Sequence, residues 1–234
     1  MSCISLTESV FSSDIRKFLA TVEYRSPKND AEKESIYRMR YAAYRREGAL
    51  PPDAPEIYKD RYDDLKNVKT IALYVGGQLA SSIRLHVVRR DQPDAPSMTV
   101  FRDKLEPLVA AGATLIDPTR FVIDETAARL HPKLHYATVR IPWMAGEYYD
   151  CDYGLASVRV EHQPFYKRFF KQTVVCEARP YPSLSKPISL MLLDYRKTRP
   201  SVLERYPFLR STEEERRGIF EVGQYAARSL ETAL

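Results

Sequence analysis

Hydrophobic and polar positions along this chain follow two periods, one helical and one of strands. In residues 31–46, AEKESIYRMRYAAYRR, Ile36, Met39 or Arg40, Ala43 and Tyr44 recur at helical spacing and predict a helix. Pro51, Pro52 and Pro55 end it in an extended loop that continues through YKDRYDDLKN. Residues 70–88 carry two β-compatible runs, TIALYV and QLASSIRLHVV, and predict a hairpin whose tight turn takes its two positive-φ positions from Gly76-Gly77. A polar break, DQPDAPS at 91–97, precedes a predicted helix at 98–110 with Val100, Leu105, Leu108 and Val109 inward. Residues 113–124 read as a strand interrupted at Pro118, which marks an edge, a bulge or a kink. A helix at 134–149 and a strand at 153–160 follow. Residues 161–171 read as a helix whose early proline its first turn tolerates, and 173–178 and 188–195 as two closing strands. A last amphipathic helix is expected over 212–230, with Ile219, Val222 and Ala226 on one face.

The order is that of a mixed α/β layer architecture. The predicted organisation is one main domain over 1–195 and a C-terminal helical extension over 196–234, packed on or beside it. A length of 234 residues agrees with one domain and an appendage. With 44% hydrophobic and 29% charged residues, the chain is an ordinary soluble type, neither disordered nor fibrous. It contains no apolar run of the roughly 18 residues that a membrane span needs. The start, MSCISLTESVFSSD, lacks the features of a signal peptide. Cys3, Cys151 and Cys176 are too few and too scattered for a disulfide framework. The cytoplasm is therefore the expected compartment.

Glycine is the informative absence. With 8 in the chain, neither G-x-G-x-x-G nor G-x-x-x-x-G-K-S/T can be written, which excludes the common nucleotide cradles. A net charge of +5 suits an acidic partner. Nucleic acid is not indicated, for want of a zinc-finger spacing, an RNA-binding aromatic signature or a concentrated basic stripe. The His131/His135 spacing fits a metal, but Pro132 and the lack of nearby Cys or acidic ligands argue against one. No G-x-S-x-G is present, and Cys151 and Cys176 lack a nucleophile context, so direct attack by a substrate amine is favoured over a covalent intermediate.

Four patches stand in a suggestive order: Arg40-Tyr-Ala-Ala-Tyr44, Asp60-Arg-Tyr-Asp63, Ser82-Ile-Arg84-Leu85 and Asp117-Pro-Thr119-Arg120-Phe121. Together they resemble the autoinducer-synthase branch of the GNAT acyltransferase superfamily, which holds acyl-homoserine lactone synthases and N-acyl amino acid synthases. The resemblance covers about 31–195. Against the lactone synthases, Tyr44 replaces a Phe, Leu50 a Trp and Asp117 a Glu. These changes turn the likeness toward the N-acyl amino acid synthases. The helix at 163–170 is similar to a later acetyltransferase helix, with Tyr166 and Phe169 in place and Phe170 where a Gly is usual.

The resemblance implies a GNAT-like mixed, mostly antiparallel central sheet flanked by helices on both faces. It implies an N-acyltransferase that moves a medium or long acyl chain to the amine of an amino acid. The superfamily's diphosphate-binding pattern, R/Q-x-x-G-x-G/A, is absent, and with it the loop amides that would seat a coenzyme A diphosphate. Acyl carrier protein is thus the expected donor and partner, ahead of acyl-CoA, with no bound cofactor or metal. Asp117 is the first candidate for a general base, acting through a water. Arg120 belongs with it, and Tyr166 is a candidate to protonate the leaving thiolate. Arg40, Tyr44, Asp60, Asp63, Arg84, Thr119, Phe121 and Trp143 are expected at the substrate site, one arginine taking the α-carboxylate.

Each assignment has a plainer alternative. The arginines and aspartates also suit a structural ion-pair network, with Asp117 paired to Arg84 or Arg120. Tyr166 also suits packing with Phe165 and Phe169. Phe121, Trp143, Tyr148 and Tyr149 suit either an acyl tunnel or the core. Two other functions use the same residues: a lactone synthase consuming S-adenosylmethionine, and a non-catalytic protein that binds an acyl group or its carrier.

Overall fold

A computed structural model describes residues 9–51, 53–181 and 184–226. Helix α1 (Val10–Leu19) and strand β1 (Val22–Arg25) precede α2 (Asp30–Arg46), which buries Ile36, Met39, Arg40 and Ala43 along one face. Asn29 caps α2 by accepting from the Glu32 amide at 2.9 Å. The expected hairpin is β2 (Val68–Val75) and β3 (Gln78–Val88), turned at Gly76 (φ +56°) and Gly77 (φ +77°). The helix predicted at 98–110 divides at Phe101 into α3 (Pro96–Val100) and α4 (Arg102–Ala110), because the buried Phe101 leaves helical geometry to enter the core.

Strand β4 (Leu115–Ile123), α5 (Glu125–Leu130), α6 (Leu134–Tyr148), β5 (Tyr153–Val158) and α7 (Gln163–Phe170) come next. Then follow β6 (Thr173–Arg179), β7 (Ile188–Asp194), α8 (Tyr195–Arg205) and the short α9 (Glu213–Arg217). The helix expected over 212–230 forms only as far as Val222, and residues 227–230 lie outside the described residues. A π-helical turn over Gly218–Val222 ends at Gly223 (φ +80°), and the chain becomes strand β8 (Gln224–Ala226). Ile219 is buried as expected, but Val222 and Ala226 are exposed. Backbone pairing with β1 decides that segment, and side-chain periodicity cannot report such pairing.

The described strands form one sheet in the order β6-β7-β5-β4-β3-β2-β1-β8. Every pairing is antiparallel except β4 with β5. Helix α6 packs on Ile83, Leu85 and Ile116 from one face, whereas Met39 and Ala43 of α2 meet Val122 on the other. The residues after β7 share the main core. Leu203, Phe208, Ile219 and Phe220 are buried there, and Arg140 of α6 donates to the Phe208 carbonyl (2.8 Å) and to Glu215 (2.7 Å). No helix among the described residues is long and apolar enough to cross a membrane.

Two irregularities open the sheet at its centre. The parallel pair β4–β5 holds only at Leu115↔Tyr153 and Ile116↔Gly154, after which the strands part. On the other side of β4, Ser82 pairs with Val122 but Arg84 pairs with Thr119, so Arg120 and Phe121 together oppose Ile83. This is a β-bulge, with Arg120 in the left-handed region (φ +54°). The irregularity expected at Pro118 thus lies two residues on, and Pro118 pairs in register with Leu85.

Candidate active site

Successive side chains of a regular strand point to opposite faces. The bulge suspends that rule, so Thr119 and Arg120 both reach one polar cluster under α2. Arg84 Nε donates to Thr119 Oγ1 at 3.0 Å, and Arg120 Nε donates to Asp60 Oδ2 at 3.2 Å. The cluster centres on the turn Arg61–Asp64, which the capping box of Asp60 and Asp63 holds rigid. Asp60 Oδ1 accepts from the Tyr62 amide at 2.9 Å and from Arg84 Nη1 at 2.6 Å. Asp63 accepts from the Asp60 amide at 3.0 Å and from Arg40 Nη1 at 2.7 Å, and it lies 3.0 Å from Arg84 Nη1. Arg40 and Arg84 are wholly buried, so these carboxylates are what make their charges tolerable. Burial raises the Asp60 pKa, but the Arg84 hydrogen bond and the Arg84 and Arg120 charges outweigh it and hold the carboxyl well below the usual range.

Arg120 also lies between two aromatic rings, 5.4 Å from the Tyr44 centroid and 4.5 Å from that of Tyr58. The left-handed conformation of a non-glycine residue costs about 1–3 kcal/mol. The rings and the paired Asp60 over-determine it here.

Beside this cluster, in the gap between β4 and β5, lies a cavity of about 550 Å³ with mostly apolar walls. Tyr44, Thr119, Arg120, Phe121, Trp143 and Tyr166 line it. Arg40, Asp60, Asp63 and Arg84 stand behind that wall and brace Arg120. Trp143 stacks on Phe170 (5.6 Å between centroids, 20° between planes), and Tyr166 meets Phe165 edge-on at 5.2 Å. Tyr166 therefore packs and faces the cavity at once, its hydroxyl pKa pushed up to about 12 by burial. Cys151 also lines the cavity and is likewise raised to about 12 by burial, so it is a thiol and no nucleophile.

The geometry decides two alternatives that the sequence leaves open and adds residues that it does not announce. Asp117 bonds neither Arg84 nor Arg120. It is wholly buried off the cavity wall, where its Oδ1 accepts from Ser97 Oγ (2.7 Å) and its Oδ2 from the Ser97 amide (3.2 Å). Burial pushes its pKa up to about 6 against those two bonds. Tyr148 and Tyr149 do not line the cavity but pack on Phe220, at 5.2 and 5.5 Å. Tyr58, Ser97 and Ser157 join the site unannounced. Tyr58 sits in a proline-rich loop, and single serines at a helix start and on a strand carry no readable signal.

A divided central sheet, a bulged strand and an apolar cavity in the gap are the architecture of a GNAT-type acyltransferase. A family model described as N-acyl amino acid synthase FeeM matches residues 35–194, and the chain belongs to that family. Among solved structures, FeeM, an N-acyl amino acid synthase from uncultured soil microbes, superposes with a TM-score of 0.66 at 16% identity, covering 80% of this chain and 97% of that one. The acyl-homoserine lactone synthase LasI gives 0.56 at 12% identity over 82% and 97% of the two chains. The CoA-dependent acyl-homoserine lactone synthase BjaI gives 0.51 at 15% identity over 79% and 88%. None of the curated proteins matches the chain. The fold expectation thus holds, and the protein is an acyltransferase.

Proposed function

We propose that the protein transfers a medium or long acyl chain from a carrier-protein thioester to the amine of an amino acid. The observation that carries this reading is the junction of the apolar cavity with the arginine cluster. Three guanidiniums (Arg40, Arg84, Arg120) share ion pairs with two carboxylates (Asp60, Asp63), and of the three it is Arg120 that reaches the cavity wall. Its guanidinium suits an α-carboxylate, while the apolar walls suit an acyl chain.

In this reading the thioester carbonyl lies by the bulge at Arg120 and Phe121. A bulge takes its extra residue out of the strand ladder and so frees backbone N–H for a developing oxyanion. The amine attacks the carbonyl carbon directly, the C–N bond forms as the C–S bond breaks, and Tyr166 is placed to protonate the thiolate.

The turn leaving β4 supports a carrier protein over coenzyme A. There Asp124 caps α5 by accepting from the Ala127 amide (2.9 Å), and Glu125 opens the helix. A diphosphate there would meet two carboxylates. Exposed Lys186 on the cavity lining, with exposed Lys167 and Arg168 on α7, suits an acidic helix instead.

The test offers carrier-protein and CoA thioesters of graded length, the amino acids and S-adenosylmethionine, with products read by mass spectrometry. An N-acyl amino acid made from the carrier thioester is expected. Arg120→Ala, which leaves Asp60 paired to Arg84, is expected to cut transfer by at least about 100-fold with an unchanged circular dichroism spectrum. An acyl-homoserine lactone with methylthioadenosine, or full activity in the variant, would refute the reading.

A further inference from the structure

We infer that Ser157 and Ser97 relay a proton from the cavity to Asp117, so that the base of the acyl transfer is a buried carboxylate reached through two hydroxyls. The inference rests on the reaction proposed above and concerns how that reaction loses its proton.

Ser157 of β5 lines the cavity on the wall opposite Thr119 and Arg120. Its Oγ is 2.7 Å from Ser97 Oγ, and Ser97 Oγ is 2.7 Å from Asp117 Oδ1. The chain has only one polarity when Asp117 is ionised. A carboxylate accepts only, so the single Ser97 proton points to it. Ser97 Oγ is left with lone pairs, so Ser157 donates to Ser97. Ser157 is then left with lone pairs of its own, at the cavity wall. Two hydroxyls in series thus end as an acceptor where the amine must lie.

Among the described residues, the groups that face Asp117 leave it as the acceptor that can take a proton near neutrality. Arg84 and His86 approach from β3, Ser97 from α3, and Tyr181 from the segment after β6. Arg84 is a cation and Tyr181 is raised well above the usual phenol. His86 is pushed down to about 3 by burial and by the Arg84 charge. Asp117 itself titrates near 6, well placed for a base at neutral pH.

The step balances. As the C–N bond forms, the amine nitrogen becomes cationic and acidic. Its proton passes to Ser157 Oγ, the Ser157 proton to Ser97, and the Ser97 proton to Asp117. The C–S bond breaks and the electron pair leaves on sulfur as thiolate, which takes the Tyr166 hydroxyl proton, and Tyr166 regains a proton from solvent. Asp117 then returns its proton to solvent.

The experiment measures amide formation against pH for wild type, Ser157→Ala, Ser157→Thr and Ser97→Ala. Wild type is expected to show an acid limb near pH 6. Ser157→Ala is expected to lower kcat by about 100-fold or more while KM for the acyl donor stays within about threefold. Ser157→Thr, which keeps the hydroxyl, is expected to restore most of the rate. Ser97→Ala breaks the same relay and is expected to lower kcat as far as Ser157→Ala does. A wild type that makes amide beside an equally fast Ser157→Ala overturns the relay alone. A wild type that makes no amide overturns the reaction and the relay with it.

Discussion

Replacing Asp60 by Asn keeps the shape of the side chain and removes one negative charge. In the wild type that carboxylate accepts from Arg84 at 2.6 and 3.2 Å and from Arg120 at 3.2 Å. In the variant Asp63 is the only carboxylate left among three guanidiniums, two of them wholly buried. Removing one partner of a buried ion pair costs about 3–5 kcal/mol. At roughly 2–4 °C per kcal/mol for a chain of this size, the melting temperature at neutral pH should fall by about 6–20 °C. The pH dependence provides a second check. A carboxyl whose folded pKa is depressed contributes its full stability above the unfolded value near 4, and loses it as pH falls toward the folded value. The gap between wild type and Asp60→Asn, measured by urea denaturation, should therefore be constant from pH 5 to 7. By pH 3 it should shrink by about 1 kcal/mol. A gap below 1 kcal/mol at pH 7, or one that widens in acid, would refute the view that Asp60 holds the cluster together.

Two further changes probe the cavity and the core. Gly154 lies at the closed end of the cavity, and a Cβ there would meet Leu193 at an ordinary 3.5 Å, so Gly154→Leu should fold and shorten the tunnel. Activity with the longest acyl donors should fall by at least about tenfold while the shortest are spared; an unchanged length profile would place the acyl chain elsewhere. Glu215→Ala leaves the Arg140 guanidinium buried without its carboxylate and should cost about 3–5 kcal/mol in urea denaturation, much of it recovered in the Arg140→Met double variant. Additive losses in that cycle would show that the pair is not coupled.

What could be read from the sequence was what local chemistry decides. Two adjacent glycines set the hairpin, and the 3.6-residue stripe set α2. Charged residues at inward positions, Arg40 above all, pointed to buried partners, and the structure supplies Asp63. What could not be read depends on distant partners. Strand β8 forms because β1 offers an edge, and the stretch is too short to carry a period. Helix α8 was hidden by Pro200 and its charged neighbours. The bulge was expected one turn of the pleat too early, because a proline is visible and a left-handed arginine is not. For Asp117 the plainer alternative to a general base was an arginine partner, since opposite charges are the obvious pairing. The structure gives it a serine, whose hydroxyl and amide fill both carboxylate oxygens without a countercharge.

The pairing of β8 with β1 sets an order of events during synthesis. Glu23 pairs with Ala226, so β1 gains its outer neighbour only after residue 226 has been made. The same holds for the core, since the guanidinium of Arg140 gains Glu215 and the Phe208 carbonyl only when those residues emerge. Until then a nascent chain carries an unmatched cation and an open strand edge, both hazards for aggregation. The loop-closure entropy of joining such distant segments falls on this last step. The β1–β8 pairing thus waits until residues 224–226 leave the ribosome.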